Sequence, residues 1–406
     1  MEMNRHSLPR VLLNATDGPL SVRAVRRYVT ALAKGLAARP EDLELHLLFF
    51  THRRGEVRQF IRSIGAERAK IHTFPWPRAW SMRRYAKPTF EMRRLAKKVD
   101  LYHETTVDHP VLGIDRPYLM TVHGLSLISR PDLCDPGFLE EKLEWFHTAR
   151  KRSTHFVPVS ETSRDEFLAH YPEVAPDHVR AVPLGVDDTY TPGSTEEAWG
   201  IVRDRFGVED EYLLYVGGVQ RNKNIERILE TAQILRDRGE FSGPVVLAGD
   251  LHYDDETWNA LLDRTDSRGH VITTGYLSPE DPLLVSLYRG ARLFLFPTFY
   301  EGWTSPPLEA MACGTPVIAS SASSVPETVG WAAELVDPDD AEGWAESAAR
   351  VLHDRDRADE LRRRGFARTA IYRWDRTVEH TLRYYREVLG LPVGSPAPIP
   401  DLAIQT

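Results

Sequence analysis

Short apolar runs alternate with amphipathic segments along most of the chain. Five runs in the first half are predicted as buried strands: Arg10–Leu13, Leu43–Phe50, Leu101–His103, Tyr118–Val122 and His155–Val159. Between the first two, apolar residues recur at helical spacing and predict a helix over Ser21–Ala38. A second series of strand-like runs follows: Tyr212–Val216, Pro244–Ala248, Val271–Thr274, Leu293–Phe296, Pro316–Ala319 and Ala333–Val336. Strand–helix alternation predicts parallel sheets covered on both faces, and two series predict two doubly wound α/β domains.

The domain boundary is predicted near Asp188–Gly200, where Thr191-Pro-Gly-Ser interrupts both patterns. A first domain is expected over residues 1–190 and a second over residues 200–375. A C-terminal helix over residues 376–390 fits either domain, and the proline-rich tail at 391–406 is expected to be disordered.

Composition favours a globular protein of the reducing cytosol. Of the 406 residues, 42% are apolar and 27% are charged. No apolar stretch approaches the roughly 18 residues of a spanning helix, and residues 1–10 lack the apolar core of a secretion signal. Cys134 and Cys313 form neither a disulfide framework nor a metal-ligand spacing. A cytoplasmic protein is therefore expected.

The net charge of −8 is unevenly distributed. Residues 51–99 carry fourteen Lys and Arg against three acidic residues, and Phe74, Trp76, Trp80, Tyr85 and Phe90 are interleaved with them. Basic residues mixed with aromatic ones suit an anionic membrane surface, and peripheral contact at the inner membrane face is one interpretation. A solvated helix face whose cations meet acids elsewhere is the other. Nucleic-acid binding is not expected, because no recognition motif accompanies the charge.

The segment Pro297–Ala312 carries the strongest chemical pattern. A predicted strand ends at Pro297, a loop holds Glu301, and a helix is expected with Ser305 as its N-cap, Pro306 at its first position and Glu309 in its first turn. The amides of such a helix end stabilise an anionic phosphate. Two carboxylates with seven residues between them can each accept hydrogen bonds from a vicinal diol. Without further context, a solvated loop acid and a helix-dipole acid are the alternative.

This segment resembles the E-x7-E motif of glycosyltransferase family 4, a group of retaining enzymes with the two-domain GT-B fold. Further segments continue the likeness in order: H-F-V-P-V-S ending at Ser160, Pro183–Asp187, Thr274–Leu277, Cys313–Ser320 and Ser324–Gly330. The likeness runs from about Leu101 to Tyr385 and is closest to bacterial mannosyltransferase-like members.

The resemblance implies roles for individual residues. Glu301 is expected to hold hydroxyls of the donor sugar, Glu309 the ribose diol, and Lys223 the diphosphate, while His123 contacts the donor sugar. Further donor contacts are implied at Gly217, Gly218, Arg221, Gly275, Tyr276, Gly302, Trp303, Thr304 and Ser305. His103 and Arg26 are expected on the acceptor side of the first domain. Glycines before Lys223 allow close approach of the backbone, and its ammonium offsets charge on a leaving diphosphate.

Four departures from the family pattern accompany these matches. Asn222 stands where the family commonly has Arg, and Gly124 follows His123 where Asp is frequent. Arg26 replaces a glycine of the N-terminal loop. Trp303-Thr-Ser replaces the usual Phe-Gly-Leu type, which is expected to change the sugar pocket.

The implied activity is retaining transfer of a hexose from a nucleoside diphosphate sugar, GDP-mannose-like, to a glycan, lipid-linked or small-molecule acceptor. No cofactor and no metal are expected, because the Asp pairs at 187–188, 254–255 and 339–340 resemble turn residues. A nucleotide-sugar epimerase or a phosphorylase shares the architecture but does not explain the joint motifs. A non-catalytic nucleotide-sugar-binding or scaffold subunit is the alternative from another class.

Overall fold

The computed structural model describes residues 8–20, 24–51, 53–74, 90–106, 114–134, 136–209 and 211–393. Within them the chain forms two compact units. The first runs to Leu184 and resumes at Trp374, and the second is Gly185–Arg373. Each contains one six-stranded parallel sheet, so the prediction of two doubly wound α/β domains is confirmed. The predicted tail beyond residue 393, positions 21–23 of the first predicted helix, and Trp76, Trp80 and Tyr85 lie outside the described residues.

The first sheet has the strand order β3-β2-β1-β4-β5-β6. Its strands are β1 (Arg10–Asn14), β2 (Glu44–Phe50), β3 (Lys70–Phe74), β4 (Leu101–Glu104), β5 (Tyr118–Val122) and β6 (His155–Pro158). Strand β3 was not predicted, because Lys-Ile-His-Thr-Phe contains no apolar run. It lies at the sheet edge, where Lys70 and Ile71 remain exposed and only Phe74 is fully buried.

Helices cover both faces of this sheet. Those described are α1 (Asp17–Leu20), α2 (Ala24–Ala37), α3 (Arg54–Ser63), α4 (Phe90–Ala96), α5 (Ser126–Ser129), α6 (Pro136–Arg152) and α7 (Glu161–His170). Phe60 of α3 contacts Phe49, whereas Met92 of α4 packs in the cluster that contains Leu48. Successive strand residues point to opposite faces, so α3 and α4 lie on opposite sides of the sheet. The basic stretch is therefore divided between two surfaces.

The second sheet has the order β12-β11-β10-β7-β8-β9. Its strands are β7 (Leu213–Val216), β8 (Val245–Ala248), β9 (Val271–Gly275), β10 (Leu293–Phe296), β11 (Val317–Ser320) and β12 (Glu334–Val336). Its helices are α8 (Thr195–Phe206), α9 (Ile225–Asp237), α10 (Asp255–Arg264), α11 (Pro282–Gly290), α12 (Ser305–Cys313), α13 (Val325–Val329), α14 (Ala341–His353) and α15 (Arg355–Thr369). All six predicted strands are present to within a residue or two. β7, β8, β10 and β11 are apolar runs buried on both faces, whereas the edge strands β9 and β12 are partly exposed.

Strand order reverses at one point in each sheet. β1 pairs with both β2 and β4, and β7 pairs with both β8 and β10. The loops that leave adjacent strands at such a point diverge to opposite faces and open a crevice at the carboxyl edge of the sheet. In the second unit these loops follow Val216 and Phe296, which brings the two strongest sequence motifs side by side.

The C-terminal helix α16 (Trp374–Val388) belongs to the first unit. The hydroxyl of Tyr385 lies 2.6 Å from Nδ1 of His103 on β4, and Arg386 forms an ion pair with Asp42 at 2.9 Å. A Cβ at Gly35 of α2 would lie 2.3 Å from Val378, so the two helices pack closely there. Among the described residues no helix is long and apolar enough to cross a membrane.

We expect Tyr385→Phe to destabilise the first unit. The substitution leaves a nitrogen of the fully buried His103 without its partner, which costs about 1–3 kcal/mol. The midpoint of thermal unfolding should fall by about 2–4 °C per kcal/mol, measured by circular dichroism. The adjacent, buried Tyr384 is not a partner of His103 and supplies the control. Tyr384→Phe should lower the midpoint less than Tyr385→Phe, and equal midpoints for both variants would contradict the role of the His103 contact.

Candidate functional site

The loop after β7 depends on two glycines at the carboxyl edge of the second sheet. Gly217 has φ 147° and its amide donates to Ala248 O at 2.9 Å. A Cβ at Gly249 would lie 1.8 Å from Gly217 O, so only glycine allows the ends of β7 and β8 to approach in this way. The loop then forms a single helical turn over Arg221–Lys223 before α9 begins.

The loop after β10 is fastened to this turn through the main chain. The amide of Phe299 donates to Asn222 O at 3.2 Å, and the hydroxyl oxygen of Thr298 lies 3.3 Å from the same oxygen. Asn224, in the left-handed conformation, donates its side-chain amide to Pro297 O at 3.1 Å and to Pro338 O at 2.8 Å. Asn222, a departure from the family pattern, thus contributes through its main chain, independently of its side chain.

This fastening brings Lys223 and Glu301 together. Lys223 Nζ lies 2.6 Å from Glu301 Oε1, and the Thr298 hydroxyl lies 3.1 Å from the same oxygen. The side chains of Lys223 and Glu301 are only 19% and 14% exposed. A pair this poorly solvated interacts more strongly than a surface pair, and each partner is costly to leave alone. The structure therefore joins the two residues that the sequence marked for the diphosphate and the sugar.

The Glu301 carboxylate also affects Tyr215, which lies in β7. Burial raises the pKa of Tyr215 well above its usual value, and the nearby Glu301 carboxylate raises the pKa further. The Tyr215 hydroxyl therefore stays protonated and donates to Gly218 O at 3.1 Å. This bond holds the glycine loop against the strand that it leaves.

Helix α12 begins one residue earlier than predicted. Thr304 is the N-cap, Ser305 is the first helical residue, and no acidic residue lies in the first turn, so the predicted cap at Ser305 and the placement of Glu309 are wrong. The Thr304 hydroxyl makes no capping bond, and it is buried without a hydrogen-bond partner among the described residues. Pro306 and Pro307 carry no N–H, so Ser305 is the only amide donor among the first three helical residues.

Glu309 lies deeper in α12 than the motif suggested. Its side chain is only 3% exposed, and the hydroxyl of Tyr288 on α11 donates to Oε2 at 2.8 Å. Trp303, just before the helix, packs edge-on against Tyr372 with ring centroids 5.0 Å apart. The indole N–H of Trp303 is buried and has no hydrogen-bond partner within the described ranges.

The remaining residues that were predicted to contact the donor lie at or near the carboxyl ends of the strands. Arg221 is exposed and has no acidic partner in the part of the chain that the structure describes. Gly275 ends β9 with φ 70°, and the following Tyr276 is 47% exposed. Strand β9 is at the sheet edge, two strands from β7. Gly302 is buried between Glu301 and Trp303.

In the first unit, His123 follows β5 and is half-buried. Its Nε2 donates to Thr105 O at 2.8 Å, and the ring of Tyr28 meets it edge-on at 5.1 Å. Because a carbonyl oxygen only accepts, Nε2 carries the proton. Arg26 lies on α2 and is also half-buried.

His103 does not have the surroundings of an acceptor contact. Its side chain is fully buried, with Nδ1 2.6 Å from the Tyr385 hydroxyl and Nε2 2.8 Å from the Thr121 hydroxyl. Burial lowers the pKa of His103 to about 3, so the ring is neutral. A ring in this position is not available to an acceptor, and His103 instead joins α16 to the sheet.

Sequence reasoning missed the two serines that hold Glu301. Ser323 Oγ donates to Glu301 O at 2.6 Å and Ser324 Oγ donates to it at 2.8 Å. The segment Ser324–Gly330 contributes to the family likeness but predicts no contact with Glu301. No pattern in it indicates contact with a loop more than twenty residues away, because the contact depends on β11 lying beside β10.

Family models match both halves of the chain. Glycosyltransferase Family 4 matches residues 25–190, and Glycosyl transferases group 1 matches residues 203–368. The chain is 29% identical over 268 residues to O-antigen chain mannosyltransferase B of Escherichia coli, covering 66% of this chain and 69% of that one. It is 28% identical over 265 residues to serotype-specific mannosyltransferase WbdA of Escherichia coli, covering 63% of this chain and 31% of WbdA.

Solved structures with this fold include Anabaena HepE in complex with UDP and glucose. It superposes with a TM-score of 0.71 at 15% identity, over 93% of this chain and all of that one. With a family 4 glycosyltransferase domain followed by a group 1 domain on this fold, the chain belongs to the GT-B glycosyltransferases.

Proposed function

We propose that this glycosyltransferase moves a hexose with retained configuration from a GDP-mannose-like donor to a glycan, lipid-linked or small-molecule acceptor. The 2.6 Å contact between Lys223 Nζ and Glu301 Oε1, at the strand-order reversal of the second sheet, carries the proposal. It joins a cation suited to a diphosphate with a carboxylate suited to sugar hydroxyls. The mannosyltransferase names of the Escherichia coli relatives support mannose as the sugar.

Lys223 is proposed to neutralise the leaving diphosphate, with the exposed Arg221 as a second cation. Ser305 supplies the amide donor at the start of α12, and the helix dipole adds to the field of that amide. These groups stabilise the negative charge that develops as the bond between the anomeric carbon and the phosphate oxygen breaks. Electrostatic stabilisation by fixed protein groups is the basis on which we propose a metal-independent reaction.

Glu301 is proposed to orient the sugar. Its Oε1 already receives Lys223 and Thr298, whereas its Oε2 receives no hydrogen bond from the described residues. That oxygen is suited to accept hydrogen bonds from sugar hydroxyls. Glu309 is proposed for the ribose diol, with one oxygen fixed by Tyr288. His123 is proposed as a further contact of the donor sugar, with its Nε2 proton already committed to Thr105.

Retention follows if the acceptor attacks from the face that the diphosphate leaves. The bond from the anomeric carbon to the phosphate oxygen breaks, and a bond from that carbon to the acceptor oxygen forms. The acceptor's proton passes to the departing phosphate oxygen, so no enzyme nucleophile is required. A non-catalytic binding or scaffold role is the alternative. Absence of nucleotide binding or of sugar transfer in the wild-type protein would favour it.

We expect Glu301→Ala and Lys223→Ala each to lower the transfer rate by at least about tenfold, since each removes a charged group placed at the reacting centre. Folding should be retained, as judged by circular dichroism. The exposed pair Asp263 and Arg268 in the same unit supplies the control, and alanine at either position should leave the rate unchanged. Near-wild-type turnover in both site variants would contradict the assignment.

Calorimetric titration with GDP, UDP, ADP and dTDP, each with magnesium and with a chelator, tests the donor class. We expect GDP to bind selectively and equally under both conditions, because Lys223 and Arg221 replace a metal at the diphosphate. Selective binding of UDP would transfer the proposal to another donor. Binding that requires magnesium would refute the metal-independent mechanism.

We also propose peripheral contact with an anionic membrane through the α4 surface, which consists of Phe90, Arg93, Arg94, Lys97 and Lys98. Phe90 is 80% exposed, and all four cations are exposed. None of the four has an acidic partner within 4 Å among the described residues. This contrasts with Lys70, which pairs with Glu44 at 2.8 Å. An aromatic side chain among unpaired cations suits an anionic lipid surface, where each cation contributes about 1 kcal/mol.

Helix α3 provides a matched control for this membrane proposal. Arg54, Arg58 and Arg62 form an exposed stripe on it, but they face the opposite side of the sheet and have no exposed aromatic neighbour in α3. In sedimentation with anionic vesicles, R93Q/R94Q/K97Q should reduce binding by at least about tenfold, and R54Q/R58Q/R62Q should reduce it less. Equal, negligible binding of the wild type to anionic and neutral vesicles would remove the proposal.

A further inference from the structure

Ser323 has a backbone conformation that serine rarely adopts. Its φ is 56°, in the left-handed region where a Cβ crowds the backbone. The other non-glycine residues with positive φ in the described ranges are Asn224 and Asp266, whose short polar side chains tolerate this region better. Ser323 lies in the loop between β11 and α13. Disfavoured conformations of this kind persist when the surrounding contacts require them.

The contacts of Ser323 are concentrated on one residue. Its hydroxyl donates to Glu301 O at 2.6 Å and accepts from Glu301 N at 3.2 Å. Ser324 adds a second hydroxyl that donates to Glu301 O at 2.8 Å. Both main-chain groups of Glu301 are therefore held by side chains of a neighbouring loop, at a point where the chain has left β10 and not yet entered α12.

Arg368 holds the carboxyl end of α13, the helix that follows Ser324. Arg368 of α15 is buried, and its Nε donates to Thr328 O at 3.0 Å near the end of α13. Its guanidinium also donates to Glu327 O and, at 2.9 Å, to the Tyr372 hydroxyl. A cation at the carboxyl end of a helix meets the carbonyls that have no helical partner. These bonds fix α13, and with it the loop that carries Ser323.

We propose that Ser323 is a positioning residue that directs the Glu301 carboxylate toward Lys223 and the donor sugar, and this rests on the proposed function. The hydroxyl fixes the amide and carbonyl of Glu301, and so fixes the direction in which its side chain leaves the backbone. The left-handed conformation is what brings the Ser323 hydroxyl to both groups. In this role Ser323 acts through its contacts with Glu301 and not directly on the sugar or the diphosphate.

This role predicts opposite effects of one substitution on local strain and on activity. Ser323→Gly relieves the disfavoured φ but removes both hydrogen bonds to Glu301. We expect the unfolding midpoint to stay within about 2 °C of the wild type, because the two effects oppose each other. The kcat for sugar transfer should fall by at least about tenfold, while the Kd for GDP changes by less than about twofold.

Amide hydrogen exchange tests positioning without any activity. In wild-type protein the Glu301 amide is protected by Ser323 Oγ, and in Ser323→Gly its exchange should accelerate by at least about tenfold. Two glycine variants serve as controls. Ser321→Gly removes an exposed hydroxyl from the same loop, and Asp266→Gly relieves the same backbone strain elsewhere in the unit. Neither should change Glu301 exchange or kcat.

A double-mutant cycle separates positioning from general damage. In an Glu301→Ala background, Ser323→Gly should cause no further loss of kcat, because its effect passes through the missing carboxylate. Additive losses, or unchanged Glu301 exchange in Ser323→Gly, would overturn the proposal. A wild type that transfers no sugar would refute the proposed function instead, and accelerated exchange in the variant would then still establish that Ser323 positions Glu301.

Discussion

The second unit is organised around one charge contact, between Lys223 and Glu301. The two residues are 78 positions apart and lie on loops that leave neighbouring parallel strands. Neither side chain is well solvated, so each charge depends on the other for much of its stabilisation. The contact requires the two loops to lie side by side. The glycines at 217 and 249, the Asn224 amide and the main-chain bond from Phe299 to Asn222 hold them in that arrangement.

The same constraint explains why several residues near the site have unusual conformations or environments. Asn224 and Ser323 adopt the left-handed region, and both bond across to the loop after β10. The Thr304 hydroxyl and the Trp303 indole N–H are buried without a partner in the described chain. Unsatisfied buried polar atoms and disfavoured backbone are costly, and they are tolerated where function requires a fixed geometry. Trp303, Thr304 and Ser323 lie next to Glu301 in sequence or contact it, whereas Asp266 lies elsewhere in the unit.

Sequence patterns were sufficient for the fold, because it depends largely on local features. Apolar runs mark central strands such as β7 and β10, and glycine-rich loops mark their ends. Edge strand β3 was not predicted because it is half-exposed. The start of α12 was predicted one residue too late because Ser305 and Thr304 are both good N-cap residues. The buried, structural environment of His103 depends on Tyr385, which is 282 residues away. Long-range partners of this kind leave no local pattern.

Under the proposed function, the Lys223–Glu301 pair would also favour one kind of ligand. Pro306 and Pro307 remove two amide donors from the start of α12, so a diphosphate depends more heavily on Lys223. Lys223, however, is already engaged by Glu301, and a diphosphate that draws it away leaves a poorly solvated carboxylate. A nucleotide that carries a sugar supplies hydroxyls to that carboxylate in the same event, whereas a bare nucleoside diphosphate does not. In the proposed donor site the pair would therefore couple recognition of the phosphate to recognition of the sugar, which is the property that a sugar transferase requires.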